Sequence, residues 1–594
     1  MEKRINQKKS STMTEKEQKE EPGKSTLQKP LRLWPGILAV ALQWVLRYGI
    51  PIIFPETMAL GVFGGLIFGL VILIWWGFFS RASRFERWSA VVLMVISLVA
   101  TSFFIDKSIA TAMMGLMFAV YSIPVMSLAF VAWAALTRFL PTKYRRVSMV
   151  VTILVASFGW IFIRTNGMDG SGRHDFDWRW AETHEERLLE QSDIEPGLLP
   201  STTVTKDAAM EWPGFRGKNR DGIVRGLRIT TNWSLSPPVQ LWRRPVGPGC
   251  SSFAARGDML YTQEQRGDDE VVSCYSLNTG KWIWEHKDKA RFWDSHAGAG
   301  PRSTPTLSGH RLYTLGATGL LNSLNATDGS TFWTRNAASD AGVNVLNWGF
   351  TSSPLVVGNV VIVALAGKLA AYDTADGKPR WFGPDGGSSY SSPHLASLKE
   401  TTQVLLMSEK GAISLAPEDG KLIWRYSWPT DNRILQPTLT GDGDLLISGD
   451  GYIGLRRVSV TQGSGGWTIR ERWNSNELKL NFNDIVVHKG YAYGFDGPSI
   501  ACIDLKNGKR KWKGERYQGW LLLLADQDLL LVLSEKGDLA LVEADSSRFN
   551  KLAQFKAIRG KTWNHPALVG DIVVVRNSIE MAAFRLPAGG EDVK

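Results

Sequence analysis

Two patterns of apolar and polar positions divide the chain. Between Leu33 and Ile163 apolar residues come in long, nearly uncharged runs: Leu33–Phe54, Ala59–Phe79, Trp88–Phe104, Ile109–Leu136 and Val147–Ile163. Each is near or above the roughly 17 residues a helix needs to cross a bilayer, where only a helix satisfies its own backbone, so five membrane spans are predicted. Arg47 inside the first run must snorkel or lie at an interface. Beyond Trp212 the runs become short and are separated by Gly, Asp and Asn, which is a strand pattern. The predicted divisions are a basic tail (1–32), a transmembrane domain (33–163), a linker (164–211) with one amphipathic helix near Trp178–Gln191, a β domain (212–587) and a tail (588–594).

One element recurs in the β domain. Gly280, Gly329, Gly377, Gly420, Gly463 and Gly508 are each followed four residues later by Trp284, Trp333, Trp381, Trp424, Trp467 and Trp512. Asp or Asn precedes four of these glycines, which suggests a two-residue hairpin turn at positive φ. The indole on the departing strand should fill the space between neighbouring blades. Seven units fit between Cys250 and Lys556; in the seventh, Asp545-Ser546 replaces the glycine turn and Phe549 approximates the tryptophan. An eighth, Trp563 to Arg585, is a strand short, and Val239–Val246, with Trp242, has the character of the missing strand. The expected fold is an all-β eight-bladed propeller of four-stranded blades, closed by its own two ends so that no sheet edge is left open.

Charge bears on partners. Residues 1–32 carry nine Lys/Arg against five Glu, and of the net charge of +11 only +1 falls beyond residue 163, so nucleic acid is not an expected partner while membrane lipid is. Cations in the tail and short loops number sixteen on one side of the membrane against Arg47 and Lys107 on the other, which places the tail in the cytoplasm and the β domain outside it. In a bacterium with two membranes this means the inner membrane, with the propeller in the periplasm. The long polar stretch before the first run, with no small-residue cleavage site after it, argues for a retained anchor. Three scattered cysteines offer neither a disulfide framework nor a zinc ribbon.

The (Asp/Asn)-Gly-Lys-x-x-Trp unit resembles the pyrroloquinoline-quinone (PQQ)-like propeller repeat, shared by quinoprotein alcohol and glucose dehydrogenases and by the non-enzymatic lipoprotein of outer-membrane barrel assembly. Five spans ahead of such a propeller are similar to the membrane glucose dehydrogenases. Trp212-Pro213-x-Phe215-Arg216-Gly217-x-Asn219-Arg220-Asp221-Gly222 resembles the opening of bacterial PQQ-binding-like propeller proteins. The resemblance implies one of two roles. One is a binding or assembly module with a protein partner or a small polar ligand at the channel; the other is a sugar or alcohol dehydrogenase with PQQ and Ca²⁺ that passes electrons to membrane quinone.

The polar residues of the inter-blade connections converge on one mouth of the channel. Asp294, His296, Arg302, Asn347, Trp348, Tyr390, Trp563 and His565 are the candidates for holding a ligand there, with Trp293, Ser389, Asp431, Asn432 and Asn564 beside them. The alternative is that they satisfy local backbone. The adjacent-cysteine pair of soluble quinoprotein alcohol dehydrogenases is missing, as is a c-type haem motif.

The cation count predicts that alkaline phosphatase, active only outside the cytoplasm, is active when fused after Gly167 and inactive when fused at Arg84. The reverse pattern in colony activity assays would invert the topology.

Overall fold

The computed structural model describes residues 31–54, 57–170, 172–190, 211–429, 433–449 and 453–589; Asp431 and Asn432 lie outside these, as do most of both tails. Contacts divide the described residues into two compact units, one running to Phe104 and including Phe118–Trp160, the other made of Ile105–Met117 and the residues from Ile161 onward.

The first unit holds helices long and apolar enough to cross a membrane, five among the described residues: Trp34–Ile53, Met58–Phe79, Arg84–Ser102, Met117–Leu136 and Thr142–Phe162. The fourth starts later than its apolar run. Asp106 caps a short helix at Lys107–Thr111, and Met113 and Met114 then adopt positive φ, which interrupts the chain before the long helix begins. Gly61, Gly65 and Gly69 form a buried stripe along the second helix, and small residues at this spacing let helix backbones approach closely. Arg47 is buried, with its guanidinium 5.0 Å from the Tyr48 ring and 4.9 Å from the Tyr121 ring. Glu86, also buried, pairs with Arg145 and Arg146.

The second unit is an eight-bladed propeller. Six blades are four-stranded antiparallel sheets, and two gain a fifth strand: Glu211–Trp212 pairs with the innermost strand of blade 1, Ala254–Arg256, and Ile223–Val224 lies parallel to the innermost strand of blade 7, Trp520–Leu524. The last blade takes its outer strand from the start of the domain, with Val239–Pro245 paired to Glu580–Arg585 and Trp242 opposite Ala583. Both ends of the β domain are thereby joined in one sheet.

The repeat glycines meet the indole of the preceding blade. A Cβ built on Gly280 would lie 2.6 Å from Trp242, and on Gly329, Gly377, Gly420 and Gly508 it would lie 2.5 to 2.8 Å from Trp284, Trp333, Trp381 and Trp473. No real Cβ fits there. Each indole N–H also donates to the carbonyl three residues before that glycine: Trp242 to Leu277 (2.7 Å), Trp284 to Ala326 (3.2 Å), Trp333 to Thr374 (3.1 Å), Trp381 to Pro417 (2.9 Å) and Trp473 to Leu505 (2.8 Å). The turn is longer than the expected two residues. The Gly280 N–H donates to the Ser276 carbonyl and the Ser276 N–H to the Lys281 carbonyl, so the glycine is the positive-φ residue of a wider loop. The Asp or Asn before Gly329, Gly377, Gly420 and Gly508 accepts a hydrogen bond from the N–H two residues on.

Blade 5 departs from the sequence reading. Its outer hairpin, Leu455–Gly463 and Gly466–Ser475, outruns its neighbours, so Gly463 and Trp467 sit near its tip and Trp473 does the inter-blade packing. Trp424, facing this irregular blade, donates instead to Gln403 Oε1 at 2.7 Å. Trp473→Ala should therefore destabilise the protein by about 3–5 kcal/mol, the usual cost of truncating a packed aromatic. Trp467→Ala should cost about 1 kcal/mol, in line with an average substitution. Urea unfolding of the two variants checks this, and equal losses would show that the tip residue carries the packing.

Candidate functional site

Every blade begins with an inner strand that leaves a connection such as Ser303-Thr304-Pro305 or Ser352-Ser353-Pro354, so these connections gather at one mouth of the channel and the turns that follow the inner strands gather at the other. The loop after blade 1 folds into a small hairpin, Trp293–Asp294 against Gly298–Ala299. Asp294 ties this hairpin together: one carboxylate oxygen accepts the His296 and Ala297 N–H groups (2.7 and 2.9 Å), and the other accepts from Arg302 at 2.6 Å. Arg302 also donates to the Gly298 and Ala299 carbonyls, and its Nε has no partner. His296 lies 6.2 Å from Trp348, and Trp348 lies 4.7 Å from Tyr390 with the rings tilted by 35°, so one aromatic cluster spans three successive connections. Asn347 beside it is exposed.

Trp563 belongs to the same mouth. Its indole donates to Glu535 at 2.6 Å, and the Lys561 ammonium sits 4.2 Å above its ring. Burial pushes the Glu535 carboxyl up and the Lys561 ammonium down. His565 lies elsewhere, in the channel interior, with its ring 3.6 Å from Trp520 and its Nε2 3.5 Å from Asp484, which in turn lies 3.4 Å from Arg216. Burial, reinforced by Arg216, keeps this imidazole neutral. Several neighbours serve local backbone: Asn564 donates to the Gly249 and Ser251 carbonyls, and Ser389 donates to that of Met407.

What sequence reasoning missed is a cover. Part of the expected linker forms a hairpin, Ile163–Met168 paired with His174–Trp178, and its turn lies on the mouth. The Gly170 N–H donates to Glu535 (2.6 Å), the Gly170 carbonyl accepts from Gln518 (2.6 Å), and Lys561 donates to the Met168 and His296 carbonyls (3.2 and 2.8 Å). The linker continues into a helix, His184–Glu190, which starts later than expected and is opened by a reciprocal Thr183–Glu186 capping pair; Gln191 lies outside the described residues. Glu185 on that helix binds Arg291 and the Gly267 N–H of blade 1. Glu535, Lys561 and Gln518 carry no motif, and only the fold brings them together.

The opening motif is a second internal element. From Pro213, whose carbonyl accepts from Leu307 of blade 2, the chain runs to Gly222, whose carbonyl accepts from Leu523 of blade 7. On the way Arg216 donates to the Ile485 carbonyl, and Arg220 donates to those of Ser353 and Pro354. The arginines of the motif thus bind blade 6 and blade 3.

A PQQ–calcium centre needs about six to eight oxygens around the metal. Among the described residues no group of three or more His, Cys, Asp or Glu is placed to hold a metal, and both oxygens of Asp294 are already bonded. The donor set does not fit that cofactor.

The family model described as outer membrane protein assembly factor BamB matches residues 234–392 and 389–552. The outer membrane protein assembly factor BamB of Yersinia pestis is 24% identical over 328 residues, which is 51% of this chain and 70% of that protein. Among solved structures, BamB from Moraxella catarrhalis aligns at 14% identity and TM-score 0.44 over 60% of this chain and 99% of its own. Quinohemoprotein alcohol dehydrogenase from Comamonas testosteroni aligns at 14% identity and TM-score 0.45, over 65% and 82%.

One buried acid in this unit makes stability depend on pH. Glu270 accepts from the Ala317 N–H at 3.1 Å, its other oxygen has no partner, and burial pushes its carboxyl up to about 7. The folded chain then keeps a proton that the unfolded chain loses near pH 4.5, so this contribution is complete below about pH 4.5 and is lost as pH rises through about 7. Glu270→Gln should remove on the order of 2–3 kcal/mol of that decline. Urea midpoints measured from about pH 5 to about pH 7.5 test it, and an unchanged slope would place the titration elsewhere.

Proposed function

The chain belongs to the family of outer membrane protein assembly factor BamB, and from this premise we propose that it is a membrane-anchored propeller outside the cytoplasm that acts as a binding or assembly module. The observation that carries the reading is the covered mouth. The hairpin turn at Met168–Gly170 engages Glu535, Gln518 and Lys561 through its backbone, so groups that would otherwise meet a soluble substrate are held by the chain itself. The Asp294–Arg302 pair, which would have to contribute oxygens to a metal and a cation to a quinone, is closed on its own loop. The aromatic cluster of His296, Trp348 and Tyr390, beside the exposed Asn347, supplies the kind of surface that anchors a protein partner. Five apolar helices would anchor the chain in the membrane.

The discriminating experiment adds PQQ and Ca²⁺ to the detergent-purified chain and follows binding by calorimetry and dye-linked oxidation of glucose and simple alcohols. The module reading expects no calcium-dependent heat and no turnover. It also expects a photo-crosslinker at Asn347 to trap one discrete envelope protein in native membranes, with the yield falling in a Trp348→Ala background. Calcium-dependent PQQ binding with turnover lost in Asp294→Ala would overturn it in favour of the dehydrogenase.

A further inference from the structure

The opposite end of the propeller holds a chamber unlike the covered mouth. It has a volume of about 1110 Å³ and lies between the inner strands and turns of blades 4, 5 and 6 and the segment from Arg216 to Arg225. That is ample for a small molecule, since ligand pockets commonly run to about 300–1,000 Å³.

Its walls carry seven Lys or Arg side chains against two Asp. Some of this charge is neutralised locally. Arg457 pairs with Asp442 and Asp444, Arg472 lies 3.3 Å from Asp444, Arg216 lies 3.4 Å from Asp484, and Lys489 lies 2.7 Å from Asp528. Three cations differ. Arg220 is 7% exposed, its terminal nitrogens reach only the Ser353 and Pro354 carbonyls (3.0 and 2.7 Å), its Nε has no partner, and no carboxylate lies within 4.0 Å among the described residues. Lys506 is exposed and likewise has no carboxylate partner among the described residues, while exposed Arg225 has only Asp221, at 3.6 Å. Beside Arg220, His394 is 5% exposed and its Nδ1 has no partner. Burial together with Arg220 and Arg216 holds that imidazole neutral, down to about 3, and burial with Arg216 brings Arg220 down to about 9.

A buried cation without a counter-charge is costly, and an anion that reaches it is bound far more strongly there than at the surface. The rim cations draw such an anion in. Leu395, Leu439, Val487 and Trp473 give the walls apolar stretches that suit an organic skeleton. A nucleic acid or other extended polyanion would need an open basic stripe, whereas residues 164–594 are almost neutral overall. The geometry points to a binding site in this chamber for a small organic anion carrying at least two phosphate or carboxylate groups, one placed against Arg220 and His394 and another between Lys506 and Arg225.

The full chain in non-ionic detergent, at about 0.15 M salt so that surface charge is screened, is titrated calorimetrically with pyrophosphate and, separately, with citrate. Saturable one-site binding of at least one is expected; pyrophosphate preference assigns a phosphate ligand, and citrate preference a carboxylate ligand. Lys506→Ala combined with Arg225→Ala should weaken binding about tenfold, equivalent to about 1.4 kcal/mol. Arg220→Gln should abolish it. If Arg220→Gln lowers the unfolding temperature, the exposed rim pair carries the test, with Lys506→Glu as the stronger variant. No saturable heat with either anion, or equal affinity in the rim variants and the parent, would overturn the site. The outcome is independent of whether PQQ binds or a partner is trapped at the covered mouth.

Discussion

The propeller depends on an indole laid flat over a glycine. Each contact couples neighbouring blades in two ways at once. The ring covers a turn where no Cβ fits, and its N–H donates to the carbonyl three residues upstream, as with Trp333 over Gly377 and the Thr374 carbonyl. Apolar burial sets the distance between blades and the hydrogen bond sets the angle, so repetition yields a ring rather than a stack. Where one partner is altered the interface adapts: Trp424 meets no regular turn in blade 5 and donates to Gln403 within its own blade.

That coupling explains what was legible in the sequence. The period, the blade number and the closing strand with Trp242 follow from a residue pair that packs across blades, because one side of each contact admits only glycine. The misassignment in blade 5 has the same origin. Gly463 and Trp467 keep the spacing but occupy the tip of an extended hairpin, and spacing alone carries no register. Turn length was misread because an Asp-Gly pair is compatible with both a two-residue turn and the wider loop that the indole requires. The mouth and the chamber were harder. Asp294, Arg302, Trp348 and Tyr390 stand out by residue type, whereas Glu535, Lys561, His394 and Lys506 become neighbours of other site residues only through blade geometry. The hairpin at 163–178 was concealed by its polarity, since it packs through backbone hydrogen bonds rather than an apolar face.

Charge is distributed differently at the two ends of the channel. At the covered mouth, Asp294 is paired with Arg302, and Glu535, which accepts from Trp563 and Gly170, shares the Trp563 ring with the Lys561 ammonium, so charges of both signs meet there. In the chamber, Arg220 is held by two carbonyl dipoles and the face of Phe215, with no carboxylate within 4.0 Å among the described residues. Carbonyl oxygens orient a guanidinium without cancelling its charge, so this end of the channel keeps a positive potential that the near-neutral total conceals.

The strand that closes the ring also fixes an order of events. Arg243 and Glu580, partners in the final sheet, are 337 residues apart, so closure is among the last contacts available as the chain emerges and among the slowest to form. The segment from Pro213 to Gly222 precedes Val239–Pro245 in the chain and lies inside the ring, tied at one end to blade 2 and at the other to blade 7. Through Arg216 and Arg220 this segment ties blade 6 to blade 3, so the stretch of chain that precedes the closing strand also braces the ring that the strand seals.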